Sequence, residues 1–304
     1  MSATKLLRSA LPVAALLACV LSPATADATW PGKPGHIAYW SLDGVHTIRP
    51  DGTHDRLVFP YVQGNVFAWS PNGREIGYVH GGVRRARPDG TNQRLIKRAW
   101  YLNDGSGGPE TELSAPAWGP KGDRLVFTET WRPRPPDGTG DGDVNWIRSV
   151  RRDGSQFRKL VRGKEAVWSR SGAHIRFISE GNDIVEIKPN GRGRRVLARN
   201  PDEHYPGYIH SLDLSPGGNR LVYVIGDLTV HILNVRNRKH TTFRLGVGAG
   251  DVVWAPGGKR LAYISRGAPH SGAELRTIRP NGHDVRTLFT FPREFVRDLA
   301  WQTR

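Results

Sequence analysis

Trp69-Ser70-Pro71-Asn72-Gly73, followed by Ile76-Gly77-Tyr78, decides the fold because its shape keeps returning along the chain. It comes back as Trp118-Gly119-Pro120-Lys121-Gly122 with Leu125-Val126-Phe127, and as Trp168-Ser169-Arg170-Ser171-Gly172 with Ile175-Arg176-Phe177. Leu214-Ser215-Pro216-Gly217-Gly218 precedes Leu221-Val222-Tyr223, Trp254-Ala255-Pro256-Gly257-Gly258 precedes Leu261-Ala262-Tyr263, and Leu299-Ala300-Trp301 opens a sixth copy at the chain end. The anchors at 69, 118, 168, 214, 254 and 301 are 49, 50, 46, 40 and 47 residues apart. Repeats of this length that hold several short strands are propeller blades.

A second element follows each first one: Val45 to Gly52, Val83 to Gly90, Trp146 to Gly154, Ile184 to Gly191, Leu275 to Gly282, and a degenerate copy from Val230 to Asn237. Most end in Pro-Asp-Gly or Pro-Asn-Gly and lead into a short run such as Arg94-Leu95-Ile96. Each blade therefore reads as four strands: A, ending at the anchor, then B, C and D. Asn-Gly and Gly-Gly between A and B, and Asp-Gly or Asn-Gly between C and D, supply the positive φ that tight hairpins need. Gly35 to Phe59 has B, C and D but no A, whereas Val296 to Trp301 is an A strand with nothing after it. Pairing the two closes a ring of six and hides the sheet edges that an open array exposes.

The Trp-Ser-Pro-Asn-Gly, Ile-x-Tyr and Pro-Asp-Gly series resembles the TolB-like six-bladed β-propeller repeat. The resemblance covers the chain from residue 35 to 304 and implies an all-β fold of four-stranded antiparallel blades. It implies no single function, since one fold hosts many. The amino-terminal domain of TolB itself has no counterpart here, which puts a Tol-Pal role in doubt. There is also no Gly-x-Ser-x-Gly elbow of the hydrolase domain that follows similar propellers.

The first 26 residues read as a secretory leader. Lys5 and Arg8 are followed by an apolar run from Ala10 to Leu21 and by Ala24-Thr25-Ala26, small residues suited to signal peptidase. Asp27 is the expected first mature residue, and 27–34 a short segment before the propeller. The sole cysteine, Cys19, lies within the leader; Leu16-Leu17-Ala18-Cys19 makes lipidation the alternative, with the bulky Leu at its second position against it. No later stretch reaches the 18 apolar residues of a membrane helix. Secretion and a monomer are the expectations.

Net charge is +16; Lys5 and Arg8 leave with the leader, so +14 remains. Such an excess suits anionic partners. Arg supplies 35 of the 44 basic residues, however, and the arginines recur in every repeat rather than in one tract. With no nucleic-acid-binding motif present, a protein or a cell-envelope glycan or anionic polymer is the expected partner, and a specific nucleic acid is not.

Strand direction alternates, so A–B and C–D turns share one face and B–C and D–A connections the other. Every long insertion belongs to the second face: Arg98 to Ala115, Thr130 to Asn145, Arg199 to Ile209 and Arg266 to Ala273. Extra loop on one face marks a binding face. Those insertions carry Trp100, Tyr101, Trp131, His204, Tyr205, Tyr208 and His210, aromatics with polar tips that suit stacking on sugars or peptide side chains, or that cover the rim. Three residues before the anchors stand Val66, Ala115, Glu165, Ser211, Asp251 and Asp298. Glu165, Asp251 and Asp298 are expected near the channel mouth, where they form a polar lining, pair with Lys164 and Arg297, or hold a cation. No metal or other cofactor is otherwise expected. Asp137, Asp141 and Asp143 half resemble a calcium loop, but Arg148 occupies the position of its closing Glu.

Two functions follow. The first is a secreted, non-catalytic scaffold that binds its ligand on the long-loop face. The second is a channel-mouth hydrolase or lyase, with the three carboxylates as metal ligands or acid–base groups in the manner of six-bladed lactonases, an analogy of architecture alone.

Overall fold

The computed structural model describes residues 27–62, 67–99, 110–133, 142–200, 209–226, 228–246, 249–266, 272–291 and 295–304. They form six antiparallel sheets around a ring. In chain order, blade 1 is Phe67–Trp69, Ile76–Val79, Gly82–Ala86 and Arg94–Arg98, and blade 2 is Glu110–Trp118, Arg124–Arg132, Val144–Arg151 and Arg158–Arg162. Blade 3 is Lys164–Trp168, Ile175–Ile178, Ile184–Ile187 and Arg195–Ala198; blade 4 is Ile209–Leu214, Arg220–Ile225, Thr229–Asn234 and His240–Arg244. Blade 5 is Ala249–Trp254, Leu261–Arg266, Ala273–Ile278 and Arg286–Thr290. Blade 6 joins the chain ends: Val296–Thr303 pairs antiparallel with Pro34–Ser41, Ile37 opposite Trp301 and Tyr39 opposite Leu299. Gly44–Ile48 and Arg56–Pro60 complete it. Each A strand packs against the next, and the sixth returns to the first, so the ring is closed.

The repeated residues build each A–B corner the same way. The Gly73 amide donates to the Ser70 carbonyl, and Gly122, Gly172, Gly218 and Gly258 repeat the bond. The Ser hydroxyl then accepts across the turn, from Glu75 N at Ser70, His174 N at Ser169 and Arg220 N at Ser215. Gly73 has a φ of 64°, and a Cβ there would lie 2.3 Å from the Thr303 carbonyl oxygen of blade 6. Glycine is therefore required both for the turn and for the close approach of the neighbouring blade.

Apolar clusters fill the gaps between successive blades, with Trp69, Trp118 and Trp254 buried in them. Two anchors also tie A strands together: Trp69 Nε1 donates to the Ala300 carbonyl at 3.3 Å and Trp118 Nε1 to the Ala68 carbonyl at 3.2 Å. The indoles thus serve as wedges between sheets, and those of Trp69 and Trp118 carry a polar end that finds backbone.

Two features depart from the repeat. Much of what reads as loop in blade 2 is strand: Glu110–Trp118 and Arg124–Arg132 run nine residues each, against three to six for the first two strands of blades 1, 3, 4 and 5. Alternating contacts along this ladder, from Ser114–Thr128 to Glu110–Arg132, carry a tongue beyond the ring on the long-loop face. The second departure lies inside the ring. Asp27–Ala28 pairs parallel with the A strand of blade 4, Asp27 opposite Asp213 and Ala28 opposite Leu214, and also packs on the A strands of blades 2 and 3. A segment that touches three innermost strands occupies the channel.

Candidate functional site

The channel ring is built on a strained backbone. Ala115, Glu165, Ser211 and Asp298 all have positive φ, between 47° and 64°, and stand at equivalent positions three residues before their anchors. The A–B register slips there in blades 2 to 6, in blade 5 between Ala249 and Val252 around Asp251. Each is a β-bulge, which re-aims a side chain, and non-glycine residues in this region are held only by strong surroundings.

What the bulge does is visible in the bonds. Ser211 Oγ receives the Val252 amide of blade 5 at 2.6 Å and donates to the Val252 carbonyl at 3.0 Å. Asp251 Oδ2 receives the Leu299 amide of blade 6 at 2.9 Å. In both, the residue three before one anchor satisfies the backbone two before the next. Adjacent A strands share no ladder, so these side chains supply the hydrogen bonds that a ladder would make. Asp213, two residues further along the strand, likewise accepts the amide of the next anchor, Trp254, on its Oδ2 at 2.6 Å.

Glu165 differs. It is fully buried, its amide donates to Thr128 Oγ1, and both carboxylate oxygens lack a hydrogen-bond partner among the described residues. Burial pushes its pKa up to about 8; Lys164 and the nearby Ser211 and Leu212 amides pull it back, and Asp298, three blades away across the axis, pushes it further up. Those amides lie beside the carboxylate without completing hydrogen bonds to it. Asp251 and Asp298 are 3% and 4% exposed, so all three expected channel carboxylates are enclosed rather than open to the mouth. Among the described residues no three His, Cys, Asp or Glu side chains are grouped closely enough to hold a metal ion.

Of the loop aromatics, Trp131 is 41% exposed and stands on the blade 2 tongue, which is braced by Arg132 bonded to Glu112 at 2.7 Å and to Asp143 at 3.1 Å. Asp143 of the calcium-like loop is thus engaged by an arginine. His210 is half-buried and its Nε2 meets the Gly226 carbonyl at 2.8 Å. Trp100, Tyr101, His204, Tyr205 and Tyr208 lie outside the described residues, as do Asp137 and Asp141.

Sequence reading passed over three residues on that face. Leu42 is 75% exposed in the B–C turn of blade 6, Tyr61 is 85% exposed just after its D strand, and Phe295 is 45% exposed just before its A strand. Phe295 lies edge-on to Trp40, and the Arg297 guanidinium stands 4.4 Å from the Trp40 ring centre and 5.1 Å from that of Phe295. The signal was present: blades 1 and 3 place Gly81 and Gly181-Asn182 where blade 6 places Leu42. The other exposed large apolar side chains, Leu57, Leu95, Val285 and Leu288, lie in the D strands or leading into one, on the outer rim. None of the described ones is on the tight-turn face. That face has instead a recess of about 230 Å3 between His36, Arg49 and Arg304.

No protein-family profile matches the chain. Nor does any curated protein match by sequence. Solved structures do. TolB from Acinetobacter baumannii superposes with a TM-score of 0.69 at 17% identity, over 89% of this chain and 67% of that one. The fold is a TolB-like propeller. A chain of a nidogen–laminin complex aligns at 0.62 and 14% identity, over 88% of this chain and 98% of the other. An oligogalacturonate lyase in complex with manganese aligns at 0.53 and 12%, over 81% and 71%. At these identities the likeness concerns architecture, and TolB, a laminin-complex chain and a lyase share it.

Proposed function

We propose that this chain is an exported, non-catalytic propeller scaffold that binds a protein segment or a cell-envelope glycan on its long-loop face. The observation that carries the reading is the sorting of exposed apolar groups. Leu42, Tyr61, Trp131 and Phe295 all stand on the face that bears the long connections, whereas the described part of the opposite face has none. Exposed apolar side chains gathered on one face, with an arginine among them, have the composition of a recognition surface. The TolB-like architecture and the neighbour from a nidogen–laminin complex agree with protein binding. The enclosed state of Glu165, Asp251 and Asp298 favours this reading over chemistry at the channel mouth.

The test is capture of envelope components by the exported chain and by a Leu42→Ala, Tyr61→Ala, Trp131→Ala variant. Exposed substitutions leave stability within about 0.5 kcal/mol, so lost capture at an unchanged melting temperature supports the surface. Unchanged capture rejects it. A Leu95→Ala, Leu288→Ala variant on the outer rim serves as the control.

A further inference from the structure

The segment from Asp27 to Trp30 runs down the inside of the ring in the same direction as Ile209–Leu214. Trp30 at its lower end is buried with Ala115, Val167, Leu212 and Leu214, and the Arg170 guanidinium lies 4.2 Å from its ring centre. Asp213 receives the Thr29 amide and the Thr29 hydroxyl. The upper end, the backbone nitrogen of Asp27, points toward the long-loop mouth, beside Leu212 and Asp213 in register.

That position adjoins the one carboxylate of the ring left without a partner. Glu165 lies against the amides of Ser211 and Leu212, the strand with which Asp27 pairs, and blade 3's A strand packs on Asp27–Ala28. One residue along a strand is about 3.3 Å, so the Asp27 nitrogen and the Glu165 carboxylate differ by roughly one residue in depth. A fully buried carboxylate with no partner is costly unless a charge meets it. The groups that act on it are Lys164, its neighbour on the same strand, which pulls its pKa down without hydrogen-bonding either oxygen, Asp298 across the axis, which pushes it up, and the Thr128 hydroxyl, which its own amide already engages.

We propose that the channel is the binding site for this chain's own processed N-terminus: hydrolysis of the Ala26–Asp27 bond frees an ammonium on Asp27 that pairs with Glu165 and locks the strand in the ring. Water and a signal peptidase supply the cleavage; the carbonyl carbon of Ala26 takes the hydroxyl and becomes a carboxylate, and the Asp27 nitrogen takes protons to become the ammonium. Export thereby completes the core. Before cleavage the same nitrogen is an uncharged amide and adds no charge to that of Lys164. After cleavage the two carboxylate oxygens that no hydrogen bond from the described residues reaches acquire a second cation beside Lys164, and the strand that already lies in the ring gains a charged lock. The inference requires nothing of the long-loop surface, so capture by that surface and locking by this pair succeed or fail separately.

The experiment exports the full chain with its own leader from a bacterial host and compares it with a form bearing an uncharged Gly-Ser extension of about ten residues ahead of Asp27. The exported chain is expected to begin at Asp27. Its α-amine should acylate at least about tenfold more slowly than the amine of the extension, and it should melt at a higher temperature. Glu165→Gln should restore fast acylation and abolish the difference in melting between the two forms. For a Glu165→Gln chain that does not fold, titration of the Asp27 α-amine in the wild-type protein decides: a pKa well above the ordinary value of about 8 supports the pair. A different first residue, equal acylation rates, or an ordinary α-amine pKa overturns it.

Discussion

Asp213 fastens Thr29 to the inside of the ring: one carboxylate oxygen accepts the Thr29 amide at 2.8 Å and the other the Thr29 hydroxyl at 2.9 Å, while the Trp254 amide joins the second at 2.6 Å. The bonds unite residues 184 apart in sequence and tie the N-terminal strand to blades 4 and 5 at once. Replacing Asp213 by Ala leaves two buried amides and a hydroxyl without acceptors, and each such group costs about 1–3 kcal/mol. Asp213→Ala should therefore destabilise by several kcal/mol, and the Thr29 and Trp30 amides should lose most of their protection from hydrogen exchange. Thr29→Val removes one bond only and should cost about 1 kcal/mol, with those amides still protected. Equal protection in wild type and Asp213→Ala would show that the strand is held by packing around Trp30 instead.

The same carboxylate makes stability depend on pH. Burial pushes the Asp213 pKa up to about 7, and the Trp254 amide, the Thr29 amide, the Thr29 hydroxyl and the charge on Arg170 only partly offset it. Unfolded aspartate titrates near 3.9, so between roughly pH 4 and 7 the folded chain holds a proton that the unfolded chain has released. The contribution is whole below about pH 4 and is lost as pH rises through about 7, and its size is a few kcal/mol at most. Urea unfolding of the extended form, which places no ammonium in the ring, should show stability falling over that window. Asp213→Asn should reduce the fall, leaving the part that the raised pKa of Glu165 contributes up to about pH 8.

How much of this was legible in sequence depends on whether a residue acts within its repeat or between repeats. The anchors, the Ser and Gly of the A–B corners and the Pro-Asp-Gly turns act within one hairpin, so their spacing revealed six blades and the closure of Val296–Thr303 on Pro34–Ser41. Asp213 and Ser211 act across blades, on Trp254 and Val252. Nothing local marks them, although Asp213 stands where the other copies have Ala or Val. The spacing put Glu165, Asp251 and Asp298 at equivalent positions three residues before their anchors. It could not show that a bulge turns Asp251 sideways onto the Leu299 amide, because a register slip leaves the residue count unchanged. The two-residue strand at Asp27 was illegible for a different reason: its hydrogen bonds go to a strand far along the chain, and two residues carry no periodicity.

The blade 2 tongue depends on Arg132, which is 37% exposed and bridges Glu112 and Asp143. Half-exposed pairs of this kind contribute about 0–1 kcal/mol each, so Arg132→Ala should leave global unfolding nearly unchanged. Its effect should be local. Amides of Thr111 and Trp131 should exchange faster while those of Leu125 and Val126, deeper in the same strands, stay protected. A global loss of stability in this variant would mean that the tongue is part of the ring's cooperative unit rather than an extension of it.

Closure of the ring has its own polar fastening in Gln302, which is 3% exposed. Its Oε1 accepts the His36 amide at 2.8 Å, across the seam between the chain ends, and its Nε2 donates to the Gly73 carbonyl of blade 1 at 2.6 Å. One side chain therefore joins the last strand, the first strand of the repeat array and the next blade. Gln302→Leu keeps most of the volume and strands both backbone groups, which should cost about 2–4 kcal/mol at the rates for buried unsatisfied groups. Because the seam is the only place where blade 6 is held without chain continuity, the loss should show first there: the His36 and Ile37 amides should exchange ahead of global unfolding, whereas the equivalent strand of blade 3, Ile175–Ile178, should not. Simultaneous exchange of both strands would show that the seam is no weaker than a blade joined by its own turn.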